Sequence, residues 1–192
     1  MTIQNIISVC LFVLFVAIVL IRATMLRRHG IRVIVFGQTD KSDFILVPLV
    51  LAIAYTALAR TFGLPILEVL IRPFWNSEIP GWGGLVLCVI AIVGFALTLV
   101  SFGKSFRVGI DESKPDKLVT SGMFSLSRNP IYVCFLMFFA GLFLIHRNIV
   151  IAVSILLFAL AIHRQVLREE KFLAAHYGAD YEDYRKKVRR YL

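Results

Sequence analysis

Two polar stretches, residues 104–132 and 163–184, hold the side chains of this chain that could perform chemistry. In the first, Asn129 occupies the N-cap position of an expected helix, whose free backbone N–H groups suit an anion such as a carboxylate or a nucleotide. In the second, Glu169 and Glu170 could hold an ammonium group or ribose hydroxyls. The residue types therefore indicate a site for a charged small molecule.

Each of these features also has an ordinary structural interpretation. Asn129 could simply begin a helix at a charged flank, and Glu169 and Glu170 could lie on a solvated helix face beside Arg168 and Lys171. The ligand-binding interpretation gains weight from position, because ionisable groups so close to apolar helices tend to line polar cavities.

The composition indicates the kind of scaffold that must position these groups. The chain has 192 residues, of which 59% are hydrophobic and only 17% are charged, and its mean hydropathy is +0.82. A soluble domain is closer to half apolar. The formal net charge of +9 fits loops held against an anionic membrane leaflet better than it fits nucleic-acid binding.

Long apolar runs predict five membrane spans, at about residues 3–21, 44–59, 82–102, 130–145 and 148–163. The last two are joined by so short a connection that they are expected to form a tight helical hairpin, and the fifth is expected to continue as a cytosolic helical extension. The predicted fold is therefore an all-α, polytopic membrane protein that forms a single domain over residues 1–192. The apolar residues 61–80 are expected to lie in the membrane interface.

The distribution of basic residues predicts the orientation. Eighteen of the 21 lysines and arginines fall in the connections between spans one and two and between spans three and four, and in the tail, whereas Arg60, Arg72 and Arg147 lie on the opposite side. The positive-inside rule then places the N-terminus outside and the C-terminus in the cytosol.

Neither a metal site nor a disulfide framework is expected. Cys10, Cys88 and Cys134 all lie in apolar runs, and His163 and His176 have no metal-ligand spacing with each other or with a cysteine.

Four short motifs follow one another in the second half of the chain: LVTSG at residues 118–122, SRNPIY at 127–132, EE at 169–170 and YGADYEDY at 177–184. In this order and at these distances they resemble the isoprenylcysteine carboxyl methyltransferase family, which is related to the membrane phospholipid methyltransferases. The resemblance covers about residues 104–191. Residues 1–103, which contain the first three spans, match only in being apolar.

The resemblance implies a methyltransferase that uses S-adenosylmethionine. Its cofactor site is implied to form from the loop before the fourth span, the start of that span and the helix leaving the fifth. Carried over by position, the implied cofactor contacts are Val108, Gly109, Lys117, Leu118, Val119, Phe124, Asn129, Pro130, Tyr132, Glu169 and Glu170. The chain departs from the family pattern at Asn129, where histidine is usual, at Phe124, where relatives have tyrosine, and at Gln165, where a basic residue is expected.

The resemblance further implies carboxyl methylation of an isoprenylcysteine or a similar lipid-modified acceptor that enters from the bilayer. A carboxylate is already ionised at neutral pH and needs no general base. The arginines that could orient it are Arg128, Arg164 and Arg168.

Two alternatives stay open from the sequence. One is methylation of a phospholipid amine or another small amphiphile, which requires a base such as Glu170 or Tyr132. The other is a non-catalytic membrane transporter or assembly factor.

Overall fold

The computed structural model describes residues 2–28, 44–102 and 118–192, and within these ranges the chain is helical and contains no strand. A short 3-10 helix, Gly122–Ser125, precedes α5. The α-helices are α1 (Ile3–Arg28), α2 (Leu46–Phe62), α3 (Glu68–Ile71), α4 (Ile79–Phe102), α5 (Pro130–His146), α6 (Ile149–Tyr177) and α7 (Ala179–Lys187).

Five of these helices correspond to the five predicted spans, but they differ in length. In the described ranges, three segments are long and apolar enough to cross a membrane: Ile3–Met25, Ile79–Phe102 and Ile149–Tyr177. The other two, α2 and α5, have 17 residues each, which is about 26 Å at 1.5 Å per residue and less than the thickness of a typical hydrocarbon core. Length alone therefore supports three spans, and the count of five stays a prediction.

The expected extension beyond the fifth apolar segment is confirmed. Helix α6 continues for 29 residues to Tyr177, and its polar final turns carry the Glu169-Glu170 pair. Asn148 caps the start of this helix, because its side chain accepts a hydrogen bond from Ile151 N at 3.1 Å.

Helix α5 packs more extensively against α4 than against α6. The close approach is possible because glycines face each other: a Cβ atom at Gly84 would lie 2.5 Å from the carbonyl oxygen of Gly141. Small residues at such a contact let two helix backbones pack closely. Although only Arg147 and Asn148 connect α5 to α6, the main partner of α5 is therefore α4.

Contacts at one end of the bundle show that the helices alternate in direction. Gln4 Nε2 donates to the Glu78 carbonyl at 3.1 Å, and the Ser8 hydroxyl lies 3.0 Å from His146 Nε2. Thr61 Oγ1 lies at hydrogen-bond distance, 3.5 Å, from the carbonyl of Asn5, in the first turn of α1. The start of α1, the end of α2, the start of α4 and the end of α5 thus meet at this end, which we call the Gln4 end.

The opposite end collects the remaining helix termini. Arg22 on α1 donates to the Leu99 carbonyl on α4 at 3.4 Å, and Met123 N donates to Ser101 Oγ at 3.2 Å. The start of α5 and the polar part of α6 are joined here through Glu170, so we call it the Glu170 end. Successive apolar helices therefore run in opposite directions. The SRNPIY motif and the Glu169-Glu170 pair both lie at the Glu170 end.

Candidate functional site

The C-terminal residues pack along the segment that leads into α5. The backbone N–H of Arg128 donates to the Arg189 carbonyl at 3.0 Å. The carbonyl of Arg190 accepts from Ser127 Oγ at 3.3 Å and from Asn129 Nδ2 at 3.1 Å. The sequence assigned these terminal arginines only to the count of basic residues, and it missed that their backbone supports the start of α5.

Glu170 is the centre of a buried ionic cluster. Its Oε1 lies 3.1 Å from Arg128 Nη2, and its Oε2 accepts from Arg190 Nε at 3.0 Å and pairs with Arg190 Nη2 at 2.8 Å. The side chains of Arg128 and Glu170 are only 8% and 9% exposed. The hydrogen bond to Glu170 raises the pKa of Arg190 above its ordinary value. One carboxylate therefore joins α6, the start of α5 and the C-terminal residues.

This cluster changes how Glu170 and Arg128 are interpreted. Both were predicted to contact ligand, Glu170 at the cofactor and Arg128 at the acceptor carboxylate. The structure pairs them with each other, and Asn129 Nδ2 approaches the same carboxylate at 3.5 Å. Their ligand-binding roles stay predictions, whereas a role in holding α5 to α6 follows from the contacts.

Glu169 lies beside the start of α5. Its Oε1 accepts a hydrogen bond from the Tyr132 hydroxyl at 2.7 Å and another from Gln165 Nε2 at 3.1 Å. Gln165 and Glu169 are four residues apart and so share one face of α6. The expected proximity of SRNPIY and the glutamate pair is present in the fold, and Tyr132 has the polar partner that its position requires.

Gln165 is a further candidate that the sequence treated only as a departure from a family pattern. Its side chain is 4% exposed, and its Oε1 atom is buried without a hydrogen-bond partner in the described residues. A buried amide oxygen without a donor is costly and suits a ligand hydroxyl or ammonium group.

Asn129 occupies the N-cap position of α5, as predicted, but its side chain makes no capping hydrogen bond. The amide donates instead to the Arg190 carbonyl and approaches Glu170. The predicted N-cap position is therefore confirmed, and the C-terminal residues provide the acceptor for the Asn129 side chain.

Apolar residues border this polar group on the side of the 3-10 helix. Phe124 is buried and packs edge-on against Phe102, with ring centroids 4.8 Å apart. Its carbonyl accepts from the Tyr184 hydroxyl at 2.6 Å, and burial raises the pKa of Tyr184 to about 12, which keeps that donor protonated. Leu118 and Val119 are partly buried just before it.

Gly122 permits the turn that brings Phe124 to this position. Its φ of +63° lies in the left-handed region, and an added Cβ would lie 2.3 Å from Ser101 Oγ. Both facts favour glycine here for structural reasons.

The other predicted site residues lie nearby or outside the described part of the chain. Arg164 is exposed and Arg168 is partly buried, and both lie with Gln165 and Glu169 within a turn and a half of α6. Pro130 is buried at the first position of α5. The predicted contacts Val108, Gly109 and Lys117 lie outside the described residues. Across residues 2–28, 44–102 and 118–192, no group of three histidine, cysteine or acidic residues could hold a metal ion.

The geometry described so far is an apolar helical bundle with carboxylates, arginines, a tyrosine and amides gathered at one end. Residues 80–180 match the family described as phospholipid methyltransferase, and this match covers just over half of the 192-residue chain. With its long apolar helices, the chain is an integral membrane protein. It belongs to the phospholipid methyltransferase family.

Two of the curated relatives named here are methyltransferases by name. The chain is 35% identical over 96 residues to the protein-S-isoprenylcysteine O-methyltransferase of Schizosaccharomyces pombe, covering 47% of this chain and 39% of that protein. It is 33% identical over 111 residues to a probable protein-S-isoprenylcysteine O-methyltransferase of Oryza sativa subsp. indica, covering 55% and 56%. A third relative is the cobalt-zinc-cadmium resistance protein CzcN of Cupriavidus metallidurans, 34% identical over 105 residues and covering 53% and 48%.

The chain spans about half the length, or less, of the curated relatives it matches. The matches confirm the resemblance to isoprenylcysteine carboxyl methyltransferases that the four motifs indicated. Membership of a methyltransferase family also implies the general use of S-adenosylmethionine as methyl donor.

Proposed function

We propose that this protein transfers a methyl group from S-adenosylmethionine to the carboxylate of an isoprenylcysteine or a similar lipid-modified acceptor. The observation that carries the proposal is the hydrogen-bonded group of Tyr132, Gln165 and Glu169, which joins two motifs of the resemblance at the Glu170 end of the bundle. The printed names of two relatives that are 33–35% identical support the choice of acceptor.

The residues present fit the cofactor in chemical type. The Glu169 carboxylate suits the ammonium group or the ribose hydroxyls, and the unpartnered Oε1 of Gln165 suits a second donor. Leu118, Val119 and Phe124 provide apolar surface for the adenine ring. The remaining proposed cofactor contacts are Val108, Gly109, Lys117, Asn129, Pro130, Tyr132 and Glu170.

S-adenosylmethionine, when bound, supplies an electrophilic methyl group on a sulfonium sulfur. In the proposed reaction the sulfur–methyl bond breaks as an oxygen–methyl bond forms, and the products are a methyl ester and S-adenosylhomocysteine. The acceptor oxygen is already ionised, so the protein aligns it and excludes water but removes no proton.

Arginines are proposed to position the acceptor carboxylate. Arg128 is paired with Glu170 in the buried cluster, so its influence on the acceptor is mainly indirect, through that ion pair. Arg164 and Arg168 are better placed, because they lie on the same polar turns of α6 as Glu169. A guanidinium group can bind a carboxylate with two hydrogen bonds and so fix its direction.

The second candidate is methylation of a phospholipid amine, which the family description favours. An ammonium acceptor must lose a proton first. Glu170 is a weak candidate base because its carboxylate already accepts from Arg128 and Arg190, which leaves the Tyr132–Glu169 pair. Family membership favours both enzyme proposals over a transporter or an assembly factor.

The dependence of rate on pH distinguishes the two acceptors. With saturating cofactor, methylation of a prenylcysteine carboxylate is expected to be nearly constant from about pH 6 to 8, because the nucleophile stays ionised. An amine acceptor gives a rate that climbs through the pKa of the amine. The measurement is transfer of a radiolabelled methyl group in detergent, comparing prenylcysteines, phospholipid amines and small thiols or phenols. A rate that rises with pH for the preferred substrate would reject the carboxylate proposal.

We also propose five membrane passes, with the N-terminus outside and the C-terminus in the cytosol. The alternating helix directions support this count, and the eighteen-to-three distribution of basic residues supports the orientation. The two 17-residue helices, α2 and α5, are accommodated by local thinning of the bilayer or by flanking polar groups.

Cysteine labelling tests this topology. Single cysteines at Thr2 and Leu192 are expected to react with a membrane-impermeant reagent from opposite sides of sealed vesicles. The background carries Cys10→Ala, since Cys10 is exposed whereas Cys88 and Cys134 are buried. Labelling of both positions from the same side would contradict an odd number of passes.

A further inference from the structure

The three arginines that the sequence places away from all other basic residues come together at the Gln4 end. Arg60 is in the last turn of α2, and Arg72 follows α3. Both line one groove with Leu64, Glu68, Val69 and Ile71. We call this the arginine groove.

Arg147 lies beside the arginine groove. It is close enough to Arg60 for the two positive charges to repel each other, and its carbonyl accepts from Phe74 N at 2.8 Å. Three cations from distant parts of the sequence therefore converge at an end of the bundle that is otherwise poor in basic residues.

Within the described residues, these cations are not paired with acidic side chains. In the described part of the chain, no ion pair joins Arg60, Arg72 or Arg147 to a carboxylate, although Glu68 lines the same groove. Arg147 is 8% exposed, and its Nε is buried without a hydrogen-bond partner. Among the described residues, Arg60 donates to the carbonyl of Ile71 and to no carboxylate. Burying the Arg147 cation without an anion is costly, and the neighbouring charges of Arg60 and Arg72 add to the attraction for an anion.

The surroundings of the groove are apolar and exposed. Leu67 is 69% exposed and Val69 is 73% exposed, on and next to the short helix α3. An inorganic anion would leave this surface uncovered. A lipid would cover it, because its chains are apolar and its phosphate is charged.

We propose that the arginine groove binds an anionic phospholipid, with Arg60 and Arg72 contacting the phosphate, Arg147 adding positive charge behind it, and the acyl chains lying along Leu67 and Val69. The site is at the opposite end of the bundle from the proposed methyl-transfer site. Its occupancy is therefore independent of which acceptor the enzyme methylates.

The test is thermal denaturation of the purified full chain in a neutral detergent, titrated with phosphatidylglycerol. Matched titrations use phosphatidylcholine with the same acyl chains and inorganic phosphate. Phosphatidylglycerol is expected to raise the melting temperature more than either of these, because only it combines a net negative charge with apolar chains. Equal shifts with phosphatidylcholine, equal shifts with inorganic phosphate, or no shift with phosphatidylglycerol would each overturn the lipid proposal.

Arginine variants test whether phosphatidylglycerol stabilises the protein by binding in the arginine groove. Arg60→Gln and Arg72→Gln are each expected to raise the half-saturating concentration of phosphatidylglycerol by about tenfold or more, the usual effect of losing a charge-assisted hydrogen bond. Arg72 is exposed, so its variant is expected to fold even if Arg60→Gln does not. Arg27→Gln is the matched control, because Arg27 is an exposed arginine in the last turn of α1, at the Glu170 end. An unchanged titration in Arg72→Gln would remove the arginine groove as the lipid site.

Discussion

Replacing Glu170 with alanine is expected to destabilise the protein by about 3–5 kcal/mol, the usual cost of removing one partner from a buried ion pair. The reason is that Arg128, whose side chain is 8% exposed, would keep its charge inside the structure without a carboxylate. The same change would release Arg190 and with it the C-terminal residues that support Ser127 and Asn129. The measurement is unfolding of the purified variant in detergent, followed by temperature and by denaturant.

Glu182→Ala is the matched control for this change. Glu182 also pairs with an arginine, Arg185, at 3.4 Å, but the two side chains are 42% and 53% exposed. An exposed pair of this kind contributes between about 0 and 1 kcal/mol. Equal stability losses in Glu170→Ala and Glu182→Ala would show that burial of the Glu170 cluster adds nothing to stability.

The adjacent residue is expected to behave differently. Glu169→Ala should weaken S-adenosylmethionine binding by about tenfold or more, because a charge-assisted hydrogen bond to a ligand contributes about 1.5–3 kcal/mol. Its melting temperature should stay much closer to that of the parent than that of Glu170→Ala, since Glu169 is only partly buried and forms no part of the Arg128–Arg190 cluster. Isothermal calorimetry with the cofactor gives the affinity.

Two further variants test whether Glu169 contacts the cofactor directly. Tyr132→Phe removes the 2.7 Å hydrogen bond to Glu169 but keeps the negative charge of Glu169. The loss of cofactor affinity is therefore expected to be smaller than in Glu169→Ala. Glu182→Ala again is the control for loss of a carboxylate at this end, with no change of affinity expected. Unchanged cofactor affinity in Glu169→Ala would exclude Glu169 from the cofactor site.

Different physical features of the sequence predicted different parts of the fold. The apolar runs predicted the five apolar helices and the continuation of α6, because hydropathy and helix length are local properties. The predicted segments differ from the helices mainly at their ends. The first segment was expected to end near residue 21, but α1 continues to Arg28, because a helix can leave the apolar region without losing its backbone hydrogen bonds.

The principal packing partner of α5 was not predictable from the short α5–α6 connection. Connection length indicates which helices are adjacent along the chain, but the extent of contact depends on how closely two surfaces can approach. Gly84 and Gly141 allow α4 and α5 to approach more closely than larger residues would allow. The two glycines are distant in the sequence, so their pairing becomes evident only in the fold.

The sequence alone determined that this is a helical membrane protein with its polar chemistry in two stretches, because charge and hydropathy are properties of local composition. It also indicated, through four ordered motifs, that Tyr132 and the Glu169-Glu170 pair belong to one site. Tertiary structure alone decided that the two glutamates have different environments. Glu169 accepts from Tyr132 and Gln165, whereas Glu170 is buried between Arg128 and Arg190. Adjacent residues on a helix point about 100° apart, so identical side chains meet different partners, and only the packing of α5 and the C-terminal residues against α6 defines those partners.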